Sequence, residues 1–273
     1  MALEPVGRLL ASDGDDLVWE LFHENSKTSM VERHAVFGTH PSDAMVVRMM
    51  RLLRTVKPYA DRPKIPLPAS FPASTRSFDD VLTRRTSARS FGAGSVPFAS
   101  VVKALVLAYG VTRSNEDTGY PRPFRAVPSG GALYPLEVYL HAAHVDGLAP
   151  GLYHFDPEDR SLDVLQLGDA TDEIAQFMVQ ADLFREAAAT VLVTAVFIRS
   201  VFKYGDRGYR FILLEAGHLA QNMLLVWDAA GLAGVSIGGY LDRRADRFLR
   251  LDGLNESVVY MLHVGFPATE PSP

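Results

Sequence analysis

The amino-acid sequence predicts an α+β fold in which helices flank a mixed, largely antiparallel sheet and one long helix lies at the centre. Three observations predict it. Hydrophobic residues make up 48% of the 273 residues, which is enough for a large core. Helical and strand patterns interleave along the chain, and residues 151–168 have the pattern of a β-hairpin, which requires antiparallel pairing.

The N-terminal part is predicted to be helical and separate from the rest. Apolar residues recur at helical spacing at Leu17, Val18, Leu21 and Phe22 and again around Met50, so residues 1–56 are expected to form an appendage of two or three helices. Residues 57–74 contain five prolines, whose fixed φ angles and missing N–H groups favour an extended linker over a packed element. The remaining residues, 75–273, are expected to form one domain.

Two helices are predicted at the start of this domain. Ser77 stands three residues before Asp80, the spacing of a capping box, and this predicts a short helix there. The next helix is predicted from about Phe98 to Tyr109, where Gly110 ends it.

Strands and the long helix follow. Residues 136–143 alternate between apolar and polar, and the hairpin at 151–168 turns at residues 156–159. The apolar run 189–197 predicts a central strand covered on both faces. Residues 208–230 show helical periodicity with apolar residues on further faces as well. We therefore expect a helix buried nearly all round, at the centre of a domain or a dimer.

Composition excludes several functions. The net charge of −5 gives no general attraction to nucleic acid or to an anionic membrane, and no apolar run is long and uninterrupted enough to span a bilayer. Because the chain contains no cysteine, any redox activity must come from a bound cofactor. The N-terminus has no secretion-signal pattern, so a cytoplasmic protein is expected.

Three short motifs are better explained without catalysis. Residues 234–238, GVSIG, match the serine-hydrolase elbow, but too few residues follow Ser236 to complete that fold. Glu215 and His218 have the spacing of a di-iron helix but lack the second copy, so we predict no metal site. Residues 92–97 break the dinucleotide-binding pattern at its last position.

An arginine-serine cluster is the first candidate for cofactor binding. Arg85, Ser87 and Arg89 supply two guanidinium groups and a hydroxyl within five residues, enough donors to hold a phosphate. The alternative is a solvated basic helix end.

Two glycine-containing segments are further candidates. PSGGALYP at 128–135 and IGG at 237–239 allow a close backbone approach, although each could also be a simple turn. A flavin needs backbone amides near N5 and its ring carbonyls, because reduction places negative charge there.

Six segments in order resemble the SagB-type dehydrogenases, a group within the nitroreductase superfamily. They are RTSARSF, PSGGALYPLEVYL, GLYHFDP, KYGDRGYRFILLEAGHLAQN, GLAGVSIGG and VVYMLHVGFP. The similarity covers about residues 75–267, and FHENSK at 22–27 also resembles the N-terminal segment of that group.

The resemblance implies a homodimer that binds two FMN molecules between its subunits. It places the phosphate and ribityl side on Arg85, Ser87 and Arg89, the ring near N5 on Ile237, Gly238 and Gly239, and the partner subunit's approach to the ring on Pro128, Ser129 and Gly130. Many nitroreductases also have a basic phosphate ligand after the last strand, which the tail ATEPSP lacks. Arg210, Arg243 and Arg244 remain alternatives.

The resemblance also implies a catalytic pair, Lys203 and Tyr204, and an activity. The expected reaction is oxidation of thiazoline or oxazoline rings to thiazole or oxazole in a peptide natural product, within a complex that contains a cyclodehydratase or a carrier protein. The residues alone also fit an exposed lysine and a packing tyrosine. Two other functions stay open: an NAD(P)H-dependent nitroreductase or enone reductase, and a non-catalytic flavin-binding scaffold.

Overall fold

The computed structural model describes residues 18–27, 43–74, 76–115 and 122–268. Two helices lie within the described N-terminal residues, where the periodicity predicted helices: α1 (Val18–Asn25) and α2 (Asp43–Leu52). Leu17, which belongs to the first helical pattern, and residues 269–273 of the tail lie outside the described residues.

The elements that follow include those that the sequence predicted, together with short strands and helices that it did not predict. In chain order they are β1 (Lys64–Pro66), α3 (Phe78–Arg84), β2 (Phe91–Gly92), β3 (Val96–Pro97), α4 (Phe98–Tyr109), β4 (Val111–Arg113), β5 (Phe124–Arg125), a 3-10 turn (Gly130–Ala132), β6 (Leu136–Ala142), β7 (Val145–Asp146), β8 (Gly151–Asp156), β9 (Ser161–Leu167), α5 (Thr171–Ala175), α6 (Ala181–Glu186), β10 (Ala189–Val196), α7 (Ile198–Tyr204), α8 (Arg207–Ala229), β11 (Ala233–Ile237), α9 (Asp242–Phe248) and β12 (Glu256–Pro267). At the start of α3, the Ser77 side chain accepts a hydrogen bond from the backbone N–H of Asp80, as the capping pattern predicted.

Eight strands form the main sheet, in the order β1-β9-β8-β6-β10-β12-β11, with β2 paired to β12. Every pairing in this sheet is antiparallel. The predicted α+β class and the largely antiparallel sheet are therefore confirmed.

The central strand β10 is covered on both faces, as its continuous apolar run predicted. Val191 and Val193 pack in the cluster that contains buried residues of α4 and α8. Leu192 points to the other face and packs with Ile174 of α5 and Phe184 of α6. The core thus has two layers, and α8 belongs to the first.

Helix α8 is buried on one side of a single chain and open on the other. Ile212, Met223 and Trp227 are fully buried. Leu213 and Leu214 are 42% and 59% exposed. The sequence led us to expect that α8 is buried nearly all round. This would therefore require a second chain on its open face.

The proline-rich segment is not the unpacked linker that its composition favoured. Its strand β1 pairs with β9 at the edge of the main sheet, with Ile65 opposite Leu162. Prolines are tolerated there because an edge strand needs hydrogen bonds on one side only, and the carbonyl of Pro63 accepts from the N–H of Val164 at 2.8 Å. The division into appendage, linker and domain stays a prediction.

Candidate active site

The arginine-serine cluster and the IGG segment lie along the same edge strand. Ser87 forms a parallel bridge with Gly234 of β11, and the N–H of Ala88 donates to the carbonyl of Gly234 at 3.1 Å. Since β11 ends at Ile237, residues 237–239 follow directly along this edge. The fold therefore brings the first and third candidate segments together.

Arg85 has the character expected of an anion ligand. It follows the last residue of α3, where its backbone N–H donates to the carbonyl of Val81 at 3.0 Å. Its guanidinium nitrogen Nη1 is buried and has no hydrogen-bond partner in the described part of the chain. A buried charged donor without an acceptor is costly, so this nitrogen fits an oxygen of a bound anion.

Gly238 presents open backbone at the end of β11. A Cβ atom built on Gly238 would meet nothing within 4 Å, whereas one on Gly239 would lie 3.3 Å from the side chain of Val179. A flat ring can therefore approach the Gly238 backbone closely.

The loop of residues 128–135 is held in an unusual backbone conformation. Gly131, Ala132 and Tyr134 have φ angles of 66°, 53° and 47°, and this left-handed region disfavours side chains. The Ser129 hydroxyl accepts from the N–H of Tyr134 at 2.9 Å, and the Tyr134 hydroxyl accepts from the N–H of Arg125 at 3.0 Å. Strain of this kind persists where surrounding bonds enforce it and is concentrated at functional sites.

Lys203 and Tyr204, at the end of α7, lie directly against this loop. A Cβ atom on Gly131 would be 2.6 Å from the Tyr204 hydroxyl and 2.9 Å from the Lys203 Nζ. The Tyr204 ring also packs edge-on against Phe211 at 4.9 Å between centroids. The structure thus joins the predicted catalytic pair to the second glycine segment, through a glycine that the sequence did not single out.

A cavity of about 570 Å³ opens beside the loop. Its lining includes Arg113, Phe124, Arg125, Ser129, Gly131 and Tyr134. The loop that meets the catalytic pair therefore also lines a space large enough for a small ring system.

A buried carboxyl group on helix α8 contacts the loop of residues 128–135. Glu215 of α8 is 2% exposed and accepts from the Tyr109 hydroxyl at 3.2 Å. Burial raises the pKa of Glu215 to about 7, against the opposing effect of its hydrogen bonds to Ser129 and Tyr109. The sequence pattern of Glu215 and His218 gave no sign of the contact with Ser129.

The two halves of the candidate site lie far apart within one chain. A Cβ on Gly130 would contact the ring of Phe211 at 3.2 Å, near the start of α8. A Cβ on Gly234, beside Ser87, would contact Trp227 at 3.1 Å, near its end. Those two aromatic residues are 16 positions apart, about 24 Å along a helix. One chain therefore does not bring Ser87 and the loop against a single ring.

Two of the three alternative phosphate ligands donate hydrogen bonds elsewhere. The guanidinium of Arg210 donates to the Ser26 hydroxyl at 2.8 Å and lies over the ring of Phe22, so it fixes α1. Arg244 donates to the carbonyl of Gln176 at 3.1 Å, at the exposed surface. The choice between Arg243 and Arg244 stays open.

Comparison with known proteins identifies the family to which this architecture belongs. The profile of the nitroreductase family matches residues 82–266. The chain belongs to the nitroreductase family. Members are oxidoreductase-type, flavin-dependent enzymes, which agrees with the predicted superfamily.

Two curated relatives are similar at the sequence level. MJ1384 of Methanocaldococcus jannaschii, a nitroreductase by name, is 32% identical over 63% of this chain and 84% of its own length. The microcin B17-processing protein McbC of Escherichia coli is 32% identical over 56% of this chain and 56% of its own length. The chain thus spans about half of McbC. The second match supports the SagB-type branch that the six segments indicated.

A solved structure shows the same fold. A chain of the E. coli microcin synthetase McbBCD complex, with truncated pro-MccB17 bound, superposes with a TM-score of 0.56 over 94% of this chain and all of that one, at 22% identity. In the described part of this chain, no helix combines the length and apolar character needed to cross a membrane.

Proposed function

We propose that this nitroreductase-family chain is an FMN-dependent dehydrogenase that oxidises thiazoline or oxazoline rings of a peptide to thiazole or oxazole. The contact of Gly131 with the Lys203 Nζ and the Tyr204 hydroxyl is the observation that carries the proposal. Two groups that could move protons thus lie against the loop that is expected to face the flavin ring. The peptide-processing role named for McbC supports a peptide substrate.

The residues present fit FMN. The unpartnered Nη1 of Arg85 suits a phosphate oxygen, with Ser87 and Arg89 beside it. The open backbone at Gly238 suits the ring. FMN, when bound, supplies the acceptor for a hydride.

The chain's own residues would supply proton transfer and orientation. Oxidation of an azoline removes two hydrogens: a proton from the ring carbon α to the carbonyl, and a hydride from the neighbouring carbon. The proton would pass to Tyr204 or Lys203 in its deprotonated form, bound FMN would supply the acceptor for the hydride, and dioxygen would serve as the final oxidant. The Lys203 Nζ lies 5.2 Å from the centre of the Tyr204 ring, so the two side chains lie close together.

Replacing both members of the pair tests their assignment. The variant Lys203→Met/Tyr204→Phe should remain yellow and lose azoline oxidation, because the proposed flavin contacts are made by other residues. Tyr209→Phe is a matched control, since Tyr209 is 37% exposed and packs against Phe22. Turnover equal to wild type in the double variant would refute the assignment.

We further infer that each site is shared between two copies of the chain. The Arg85 cluster would come from one subunit, and the loop with Lys203 and Tyr204 from the other, because they lie apart in a single chain. Arg85→Gln and Lys203→Met/Tyr204→Phe should each be inactive alone. When the two are refolded together, about a quarter of wild-type activity should return, because half the dimers are mixed and each mixed dimer has one intact site. No recovery in verified mixed dimers would place Arg85 and the pair in the same subunit's site.

A second candidate function rests on the similarity to MJ1384, which covers most of that protein. An NAD(P)H-dependent nitroreductase or enone reductase would use the same fold. Anaerobic mixing separates the two: rapid bleaching of the flavin by NADPH supports the reductase, whereas bleaching only by an azoline peptide supports the dehydrogenase. A flavin that neither compound reduces would instead indicate a non-catalytic scaffold.

A further inference from the structure

We propose that helix α2 positions the loop of residues 128–135 against the end of helix α7, where Lys203 and Tyr204 lie. Arg122 is the principal positioning residue. The inference rests on the proposed function for its kinetic consequence, but not for its geometry. It gives the N-terminal helices a role that the sequence did not indicate.

The side chain of Arg122 joins the end of α2 to the loop of residues 128–135. It is 5% exposed, and its Nη1 donates to the carbonyl of Leu133 at 2.8 Å. Its Nη2 donates to the carbonyl of Met50 at 2.7 Å and also to that of Leu53. The last carbonyls of a helix have no partner within it, and the planar guanidinium can bind several acceptors at once. One buried residue therefore sets the distance between α2 and the loop.

A small hydrophobic cluster makes the same connection and extends it to α7. Leu133 and Met50 are 0% and 2% exposed and pack with Val46. Phe202 and Tyr204 pack against this cluster. The cluster thus joins α2 to Leu133 of the loop, two residues beyond Gly131, and the tyrosine that faces Gly131 packs against the same cluster.

The first turn of α7 is held by the same N-terminal segment. Arg199 donates to the carbonyl of Thr55 at 3.2 Å, and Arg125 donates to the same oxygen at 3.2 Å. Arg199 also forms an ion pair with the buried Glu137 at 2.6 Å, which fixes its guanidinium. Because residues 46–55 hold α7 at both ends, a shift of α2 would move Tyr204 relative to the loop.

The spacing at Gly131 makes catalysis sensitive to such a shift. A Cβ atom there would be only 2.6 Å from the Tyr204 hydroxyl, so the backbone and the phenol are already in close contact. A misplacement of about 1 Å in a catalytic group can reduce the rate by about 100-fold. Loosening α2 should therefore slow the chemical step more than it weakens substrate binding.

The kinetic test uses Arg122→Gln and Met50→Ala, with Met223→Ala as the matched control. Met223 is also fully buried, but it lies on α8 in the main core. We expect kcat for the azoline peptide to fall roughly 10- to 100-fold in the first two variants, with KM within about twofold of wild type. The control should lose thermal stability and keep kcat. Arg122→Lys, which retains the charge, keeps the test informative if the glutamine variant does not fold, and should lie between it and wild type.

A second measurement does not depend on azoline chemistry. Protein labelled with 3-fluorotyrosine gives a 19F resonance for Tyr204, assigned by its loss in Tyr204→Phe. That resonance should shift or broaden in Met50→Ala and Arg122→Lys and stay unchanged in Met223→Ala. If it moves while wild type oxidises no azoline, the positioning role stands and the proposed function fails. If it does not move and kcat is unchanged in an active enzyme, the positioning role is wrong.

Discussion

Replacing Glu215 by glutamine should remove a large pH dependence from the stability of this protein. Burial raises the pKa of Glu215 to about 7, from an ordinary value of 4.5. The difference of 2.5 corresponds to about 3 kcal/mol, since one pKa unit is about 1.4 kcal/mol. Because the pKa is higher in the folded state, that state binds more protons between about pH 4.5 and 7. The free energy of unfolding of wild type should therefore fall as pH rises through this window.

The assay is urea unfolding of both proteins from pH 4.5 to 8.5 at equal flavin content. Subtracting the wild-type curve from the Glu215→Gln curve cancels the groups that the two proteins share. Glutamine cannot ionise but can still accept from the Tyr109 hydroxyl and contact Ser129. The difference should therefore increase by about 3 kcal/mol toward high pH.

A flat difference would refute this reasoning. If the two stability curves stay parallel within about 0.5 kcal/mol, Glu215 ionises in the folded protein as easily as in the unfolded chain. Glu173→Gln, which removes one exposed carboxylate at the start of α5, controls for the change in net charge.

Three further outcomes are expected. Gly131→Ala should abolish turnover, because its Cβ would lie 2.6 Å from the Tyr204 hydroxyl. Gly231→Ala, also at positive φ but in open space, should destabilise the protein by only about 1 kcal/mol and keep activity, as steady-state kinetics and thermal melts can show. Glu137→Gln should lower the free energy of unfolding, measured in urea, by about 3–5 kcal/mol, because it leaves buried Arg199 without its ion pair. Asp172→Asn, which removes an exposed ion pair, should lower it by under about 1 kcal/mol, and equal losses would contradict this prediction. Burial lowers the pKa of His141 to about 4, so the stability of wild type should fall as pH drops from 6.5 to 4. His141→Met should lessen that fall, and acid-unfolding curves that are identical for the two proteins would contradict this prediction.

The helices and strands that the sequence specified best are those with local signals at both ends. Helix α4 begins at Phe98 and ends at Tyr109, where the periodicity and Gly110 placed it. The hairpin of β8 and β9 turns at Asp156, whose side chain accepts from the N–H groups of Glu158 and Asp159. Strand β1 could not be predicted in this way, because its pairing with β9 depends on residues about a hundred positions away.

The candidate site was predictable in its parts but not in its arrangement. Glycine pairs stand out as local patterns, and the Lys203-Tyr204 pair came from the family resemblance. The contact of Gly131 with both side chains, however, joins segments more than seventy residues apart. The same holds for Arg122, two of whose three acceptors lie about seventy residues away in the chain. No local pattern marks an arginine that binds backbone carbonyls, because the acceptors exist only after the chain has folded.

The way the main sheet ends has a consequence for how copies of this protein can assemble. At one edge of the sheet, the three-residue strand β1 contains Pro66 and follows Pro63. These two prolines offer no N–H to an incoming strand. At the opposite margin β11 is already bridged by Ser87. Neither margin is therefore a good template for an added strand, which protects against fibrous aggregation. Ordered self-association is left to the helical surfaces, where Leu213 and Leu214 lie open.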